Sequence, residues 1–138
     1  MPPEETRTDD LTQEMRLSAS PDKVYAAWVD AELHAMMTGG AAESDPVVGG
    51  RFTAWDGYIS GTWLALDRGQ GFVQAWRTSE FPDDAPDSRV EVSLAADGEG
   101  GTNVTLRHTQ IPAGQGVRYD GGWEEFYWEP MRRFFASL

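Results

Sequence analysis

The sequence predicts an α+β fold in which helices gather on one side of a curved antiparallel sheet. Three observations carry this reading. Apolar residues alternate in an opening segment and again from about residue 49 onward, the period of half-buried strands. The later segments are joined by the short turn-rich links DRG, FPDDAPD and DGEGG, which suit antiparallel neighbours in a meander. After the opening segment, and again at the C-terminal end, apolar spacing shifts to three and four residues, the mark of a helix with one buried face.

Residues 1–10 carry two prolines, four acids and almost nothing apolar, so they read as a flexible leader, and one folded domain is expected over residues 11–138. Leu11, Gln13, Met15 and Leu17 alternate with polar residues as a first strand. Ser20 ends that strand and begins a helix: its hydroxyl can accept from an unpaired amide, Pro21 suits the first helical position, and Asp22 complements the positive end of the dipole. Val24, Ala27, Trp28 and Leu33 follow at helical spacing. Asp30 can cap a second short helix through Met36 and Met37, which Gly39 and Gly40 end. His34, beside acids on this helix, reads as a surface residue.

Gly49-Gly50 opens a strand through Phe52 and Trp55, and Asp56-Gly57 is a tight-turn signal. YISGTWLALD, QGFVQAWRTS, SRVEVSLAAD and TNVTLRHTQI each have strand length with β-branched or aromatic content. Trp123, Tyr127, Met131, Phe134 and Leu138 then form the stripe of a terminal helix over residues 117–138. Pro130 lies inside it. Proline there removes an amide donor and clashes with the carbonyl of Phe126, at about 3 kcal/mol. The stripe continues across it, so the helix is expected to persist but bend between Phe126 and Pro130.

Composition narrows function by exclusion. At 138 residues with 40% hydrophobic content the chain can bury one core, yet it has no apolar run long enough to span a bilayer. Membrane insertion is not expected. MPPEETRTDD lacks the basic start and apolar stretch of a secretory signal, so a cytoplasmic location is expected. The formal charge of −12 argues against nucleic acid as a partner. Cysteine is absent, which excludes disulfides, thiol nucleophiles and thiolate metal sites. Glu124, Glu125 and Glu129 read as a solvated helix face. Asp83, Asp84 and Asp87 lack the regular spacing of a calcium loop. Gly98, Gly100 and Gly101 form a hairpin turn among acids rather than a phosphate cradle. No metal or other cofactor is expected.

Specific residues sharpen the fold. SPDKVYAAWVDAELHAMM, with Ser20-Pro21, Val24 and Trp28, VGGRF at residues 48–52, Ala75-Trp76, GTNVTLRHT from Gly101 to Thr109, and Gly122-Trp123 occur in one order. With them the chain resembles the stand-alone activator-of-heat-shock-protein-ATPase (AHSA-like) homologues of the START-like, SRPBCC superfamily. The resemblance covers about residues 11–138 and implies a helix-grip fold: a curved antiparallel sheet wrapped around a long C-terminal helix, with two short helices after the first strand. Two positions depart from the family. Met36-Met37 replaces a usual tryptophan, which would soften one cavity wall, and Asp67-Arg68-Gly69-Gln70 replaces a proline turn.

The helix-grip fold implies a cavity between sheet and terminal helix suited to a small hydrophobic or aromatic molecule. Trp55, Trp63, Trp76, His108, Trp123, Tyr127 and Met131 are the candidate ligand-binding residues. The rings can offer flat walls or simply fill the core. His108 alternates with Val104 and Leu106, so it faces the apolar side of its strand and can serve a ligand, carry a proton, or be a satisfied structural histidine. Non-catalytic binding is the expected function. The alternative is a cofactor-independent cyclase, aromatase or hydratase with His108 or a tyrosine as acid or base, and no catalytic residue is assigned. A homodimer is possible. A chaperone partner is not expected, because the family's name comes from one domain of a two-domain co-chaperone whose other domain has no counterpart in 138 residues.

Overall fold

The computed structural model describes residues 8–136. In chain order the elements are β1 (Thr8–Leu17), α1 (Pro21–Val29), α2 (Ala31–Thr38), β2 (Glu43–Ser44), β3 (Arg51–Ala54), β4 (Ile59–Asp67), β5 (Gly71–Thr78), β6 (Ser88–Ala96) and β7 (Thr102–Pro112). A terminal helix follows as α3 (Gly116–Trp123), a π-helical turn (Glu124–Trp128) and α4 (Glu129–Ala136). The seven strands form one antiparallel sheet in the order β1-β7-β6-β5-β4-β3-β2. This is the curved sheet and long C-terminal helix of the helix-grip fold. No helix among the described residues is long and apolar enough to cross a membrane.

Local chemistry sets the two short helices. Ser20 Oγ accepts from Lys23 N at 3.3 Å with Pro21 in the first turn, and Asp30 Oδ2 accepts from Leu33 N at 3.0 Å. Gly39, at φ 90°, takes the left-handed conformation that closes α2. Met37 is buried but Met36 is exposed, and neither reaches the cleft described below; the expected softening of a cavity wall at these positions does not occur.

The first strand begins at Thr8 rather than Leu11. Thr8 and Asp9 pair with Pro112 and Ile111, and Asp9 Oδ2 accepts from Gly114 N and Gly116 N, each at 2.9 Å. An acid from a segment read as leader thus satisfies amides at the start of the terminal helix. Residues 1–7 of the expected leader, and Leu138 of the expected stripe, lie outside the described residues.

Alternate strand residues face inward: Leu17 on β1, Val90, Val92 and Leu94 on β6, and Val104, Leu106 and His108 on β7 are all buried. The terminal helix returns Tyr119, Trp123, Tyr127, Trp128, Met131 and Phe135 to this face. Each large side chain so buried contributes roughly 1.5–3 kcal/mol. Gln13 adds a polar tie between β1 and the helix, donating to Asp120 O at 2.8 Å and accepting from Trp128 Nε1 at 2.6 Å. Glu124, Glu125 and Glu129 are exposed, and Arg132 pairs with Glu124 at 2.9 Å.

Pro130 does not break the helix. The chain widens into the π turn just before it, where Glu129 N donates to Glu124 O, five residues back. A second cause lies in the buried row Tyr119, Trp123, Tyr127, Met131 and Phe135. Each four-residue step advances about 40° beyond a full α-helical turn, so four steps would carry the row about 160° around the axis. One wider turn draws it back toward the sheet.

Candidate functional site

A cleft of about 250 Å³ opens between the terminal helix and the turn that joins β3 to β4. Trp55, Tyr58, Ile59 and Trp76 form the sheet side; Tyr119, Gly122, Trp123, Phe126 and Tyr127 form the helix side, with Arg118 at its edge. The helix residues fall at intervals of three and four and therefore share one face. Seven of these ten side chains are aromatic, which gives the cleft flat apolar walls.

Gly122 keeps it open. A Cβ there would meet only Phe126 Cδ2, at 3.9 Å, so the backbone would accept a side chain and the cleft would receive it. Trp55 is held in an unusual way. Trp55, Asp56 and Gly57 have φ of 51°, 60° and 90°, a left-handed run that costs a bulky residue about 1–3 kcal/mol. Asp56 offsets the strain by bonding Ala41 twice, N to O and Oδ1 from N, both at 3.0 Å. Gly40 makes room for the indole, since a Cβ at Gly40 would fall 2.8 Å from Trp55 Cε3. The ring stands edge-on to Phe126 at 5.3 Å. Its buried Nε1–H has no acceptor among the described residues.

Behind the walls the polar groups are paired. Trp123 Nε1 donates to His108 Nδ1 at 3.2 Å, so the ring proton sits on Nε2, which donates to Ser88 Oγ at 2.8 Å. Ser88 Oγ in turn donates to Trp76 O at 2.7 Å. Burial disfavours the imidazolium and pushes His108 down to about 3. His34 is also buried, which corrects its reading as a surface residue. Its Nδ1 donates to Trp28 O and its Nε2 accepts from Tyr127 OH, both at 2.9 Å. The missed signal was the spacing of His34, Met37 and Thr38, one face of α2. Burial lowers the His34 pKa and raises that of the Tyr127 phenol.

The rim of the cleft is polar. Glu80 accepts from Arg118 through Oε1 at 3.1 Å and from Tyr58 OH through Oε2. Burial, and then the bond to Glu80, push the Tyr58 phenol up to about 12. Tyr119 OH donates to Gln115 Oε1 at 2.8 Å and lies 2.7 Å from Thr78 Oγ1.

Of the residues singled out in the sequence, Trp55, Trp76, Trp123 and Tyr127 meet at the cleft. Three others do not reach it. Trp63 packs on Phe52 and Phe72 and donates to Ser44 Oγ at 3.2 Å, His108 lies behind Trp76 at 4.6 Å between ring centroids, and Met131 is fully buried. Sequence reasoning passed over Tyr58, Arg118, Tyr119, Gly122 and Phe126. Tyr119, Gly122 and Phe126 share a helical face with Trp123, a signal that was available. Tyr58 depends on the left-handed turn before it, which strand alternation does not express.

The family model for Activator of Hsp90 ATPase homolog 1-like protein matches residues 18–136. Among curated relatives, the human Activator of 90 kDa heat shock protein ATPase homolog 1 is 26% identical over 126 residues, 91% of this chain and 37% of that protein. The chain therefore spans little more than a third of the human relative. Among solved structures, an HSP90 activator from Plasmodium falciparum superposes with a TM-score of 0.82 at 24% identity, covering 94% of this chain and 96% of that one. The Aha1 dimer from Colwellia psychrerythraea gives 0.76 at 14% identity, with 92% and 96% covered. At these identities the structural matches speak for the fold.

Proposed function

Because the chain belongs to the Activator of Hsp90 ATPase homolog 1-like family and carries an apolar cleft against its terminal helix, we propose that it binds a small hydrophobic or aromatic ligand there without transforming it. The observation that carries this reading is the seven-aromatic lining of a cleft of about 250 Å³ with a glycine on its helical wall. That volume lies just below the roughly 300–1,000 Å³ of drug-sized sites, which suits a two-ring ligand. An acid–base enzyme needs an ionisable group with a free position toward the reacting atom. Both nitrogens of His108 are engaged and Tyr127 gives its proton to His34, which supports binding over the cyclase, aromatase or hydratase alternative.

Hydrophobic fluorescent dyes should bind the folded protein saturably at neutral pH and change its tryptophan emission. Gly122→Leu should abolish this while keeping or raising thermal stability, because leucine fills the cleft and favours the helix over glycine by somewhat less than the about 0.8–1 kcal/mol that separates alanine from glycine. Equal dye binding by native protein and Gly122→Leu, or binding only in acid or mild denaturant, refutes the reading.

A second reading, co-regulation of a chaperone ATPase, is favoured by the names of the curated relatives. Its measurement is chaperone ATPase turnover with and without the chain. Stimulation that survives Gly122→Leu would separate that role from ligand binding. Self-association, as in the Colwellia psychrerythraea structure, is a further proposal, open to sedimentation analysis.

A further inference from the structure

We infer that the ligand of this cleft is an aromatic carboxylate, held by Arg118 at the rim while its rings lie between Trp55, Trp76 and Trp123. The inference rests on the reading of the cleft as a ligand site and adds the chemistry of the ligand's polar end.

It begins from what the cleft offers to hydrogen bonding. Tyr127 OH is committed to His34, Trp123 Nε1 to His108, and Tyr119 OH to Gln115. The phenol oxygens can still accept, but the donors with bonds left to give include an indole and a guanidinium. Trp55 Nε1–H is buried without an acceptor among the described residues, and the Arg118 guanidinium is paired only with a half-exposed carboxylate. Indole and guanidinium donate and do not accept. These two donors ask for acceptor atoms, and the one charged residue on the lining asks for an anion.

The rim is built so that Arg118 can change partners. Its pair with Glu80 is exposed on both sides, 49% and 45%, and such pairs contribute little net stability. The two donors use different oxygens of Glu80: Arg118 holds Oε1, Tyr58 holds Oε2. When Arg118 turns to a ligand carboxylate, Glu80 keeps its phenol bond and is not left bare. The backbone on that side stays fixed, since Gln115 Nε2 donates to Glu80 O at 3.0 Å and Glu80 N donates to Thr78 Oγ1 at 3.2 Å. A planar fork is the group that matches a carboxylate in two bonds. An anion preference would also run against the net charge of −12, so a local cation is needed to produce one.

The test compares two probes of the same ring size by calorimetry, 2-naphthoate and 2-naphthalenemethanol, on the full chain at low salt. Native protein should bind the carboxylate about tenfold more tightly than the alcohol, the scale of one charge-assisted hydrogen bond. Arg118→Met should abolish that preference, with circular dichroism and the melting temperature reporting that the variant is folded. Arg118→Lys should retain part of it. Equal or weaker binding of the carboxylate by native protein, or a preference that survives Arg118→Met, overturns the inference and leaves the cleft reading intact. Failure of both probes to bind native protein overturns both.

Discussion

Acid should destabilise this protein between about pH 6.5 and 4 through its buried histidines, and His108 supplies a number. In the unfolded chain the imidazole titrates near 6.5; in the fold it is pushed down to about 3 by burial. A depressed folded value means that the unfolded chain takes up the proton first. The contribution is therefore fully present above about pH 6.5 and is lost as pH falls toward 3, where the loss is complete. Linkage gives a loss of about 2 kcal/mol by pH 5 and about 3 kcal/mol by pH 4 from His108 alone. His34 acts with the same sign. Against an ordinary stability of about 5–15 kcal/mol, that is a large share.

Two other effects must be separated from it. The net charge of −12 shrinks as pH falls, which relieves self-repulsion and works in the opposite direction. Asp97 is held low by the amides of Glu99 and Gly101, so its contribution starts to be lost only as pH falls into the ordinary carboxylate range near about 4. Urea melts of native protein and His108→Gln at pH 7 and pH 5 cancel both effects, and His34 as well, in the double difference. The variant should be less stable at pH 7 but lose about 2 kcal/mol less on going to pH 5. Parallel pH dependence in the two proteins refutes the argument. If the variant is too unstable to measure, the imidazole signal of native His108 in NMR should stay neutral to pH 4, and a midpoint near 6.5 gives the same refutation.

Two further predictions concern the terminal helix. Tyr127→Phe removes the donor to His34 Nε2 and leaves a buried acceptor unpaired; urea melts should show a loss of about 1–3 kcal/mol, with dye affinity unchanged because the ring remains. Pro130→Ala should raise the melting temperature by less than the full cost of about 3 kcal/mol for an interior proline, because the π turn has already absorbed part of it, and carbon chemical shifts should show that turn persisting. Collapse to a regular α-helix with loss of dye binding would instead give Pro130 control of the cleft.

What the sequence made legible was mostly periodic. Alternation in SRVEVSLAAD and TNVTLRHTQI marked two strands that pair residue for residue, Val90 with His108 and Leu94 with Val104, and Ser20-Pro21 and Asp30 marked helix starts through capping chemistry that acts within three residues. The features that shape the cleft act over longer distances or through exceptions to period. Gly121-Gly122 weakens a helix by local propensity, and its use becomes visible only when Phe126, Trp76 and Trp55 stand opposite. His34 looked solvated among acids because its partners, Trp28 O and Tyr127 OH, come from a preceding turn and from 93 residues away. Asp9 reads as part of an acidic tail until β7 brings Gly114 and Gly116 to it.

Pro130 lies between these cases. It was legible as a conflict, and a bend was the expected resolution, but the even four-residue spacing of Tyr119, Trp123, Tyr127, Met131 and Phe135 already contained the remedy. An α-helix lets five such residues drift about 160° around its axis, and one extra residue in a turn takes back most of that drift. The proline sits two residues after that turn, where the missing amide is least disruptive to a ladder already interrupted. Row and proline therefore favour the same local geometry, and that geometry sets Phe126 and Tyr127 on the cleft wall.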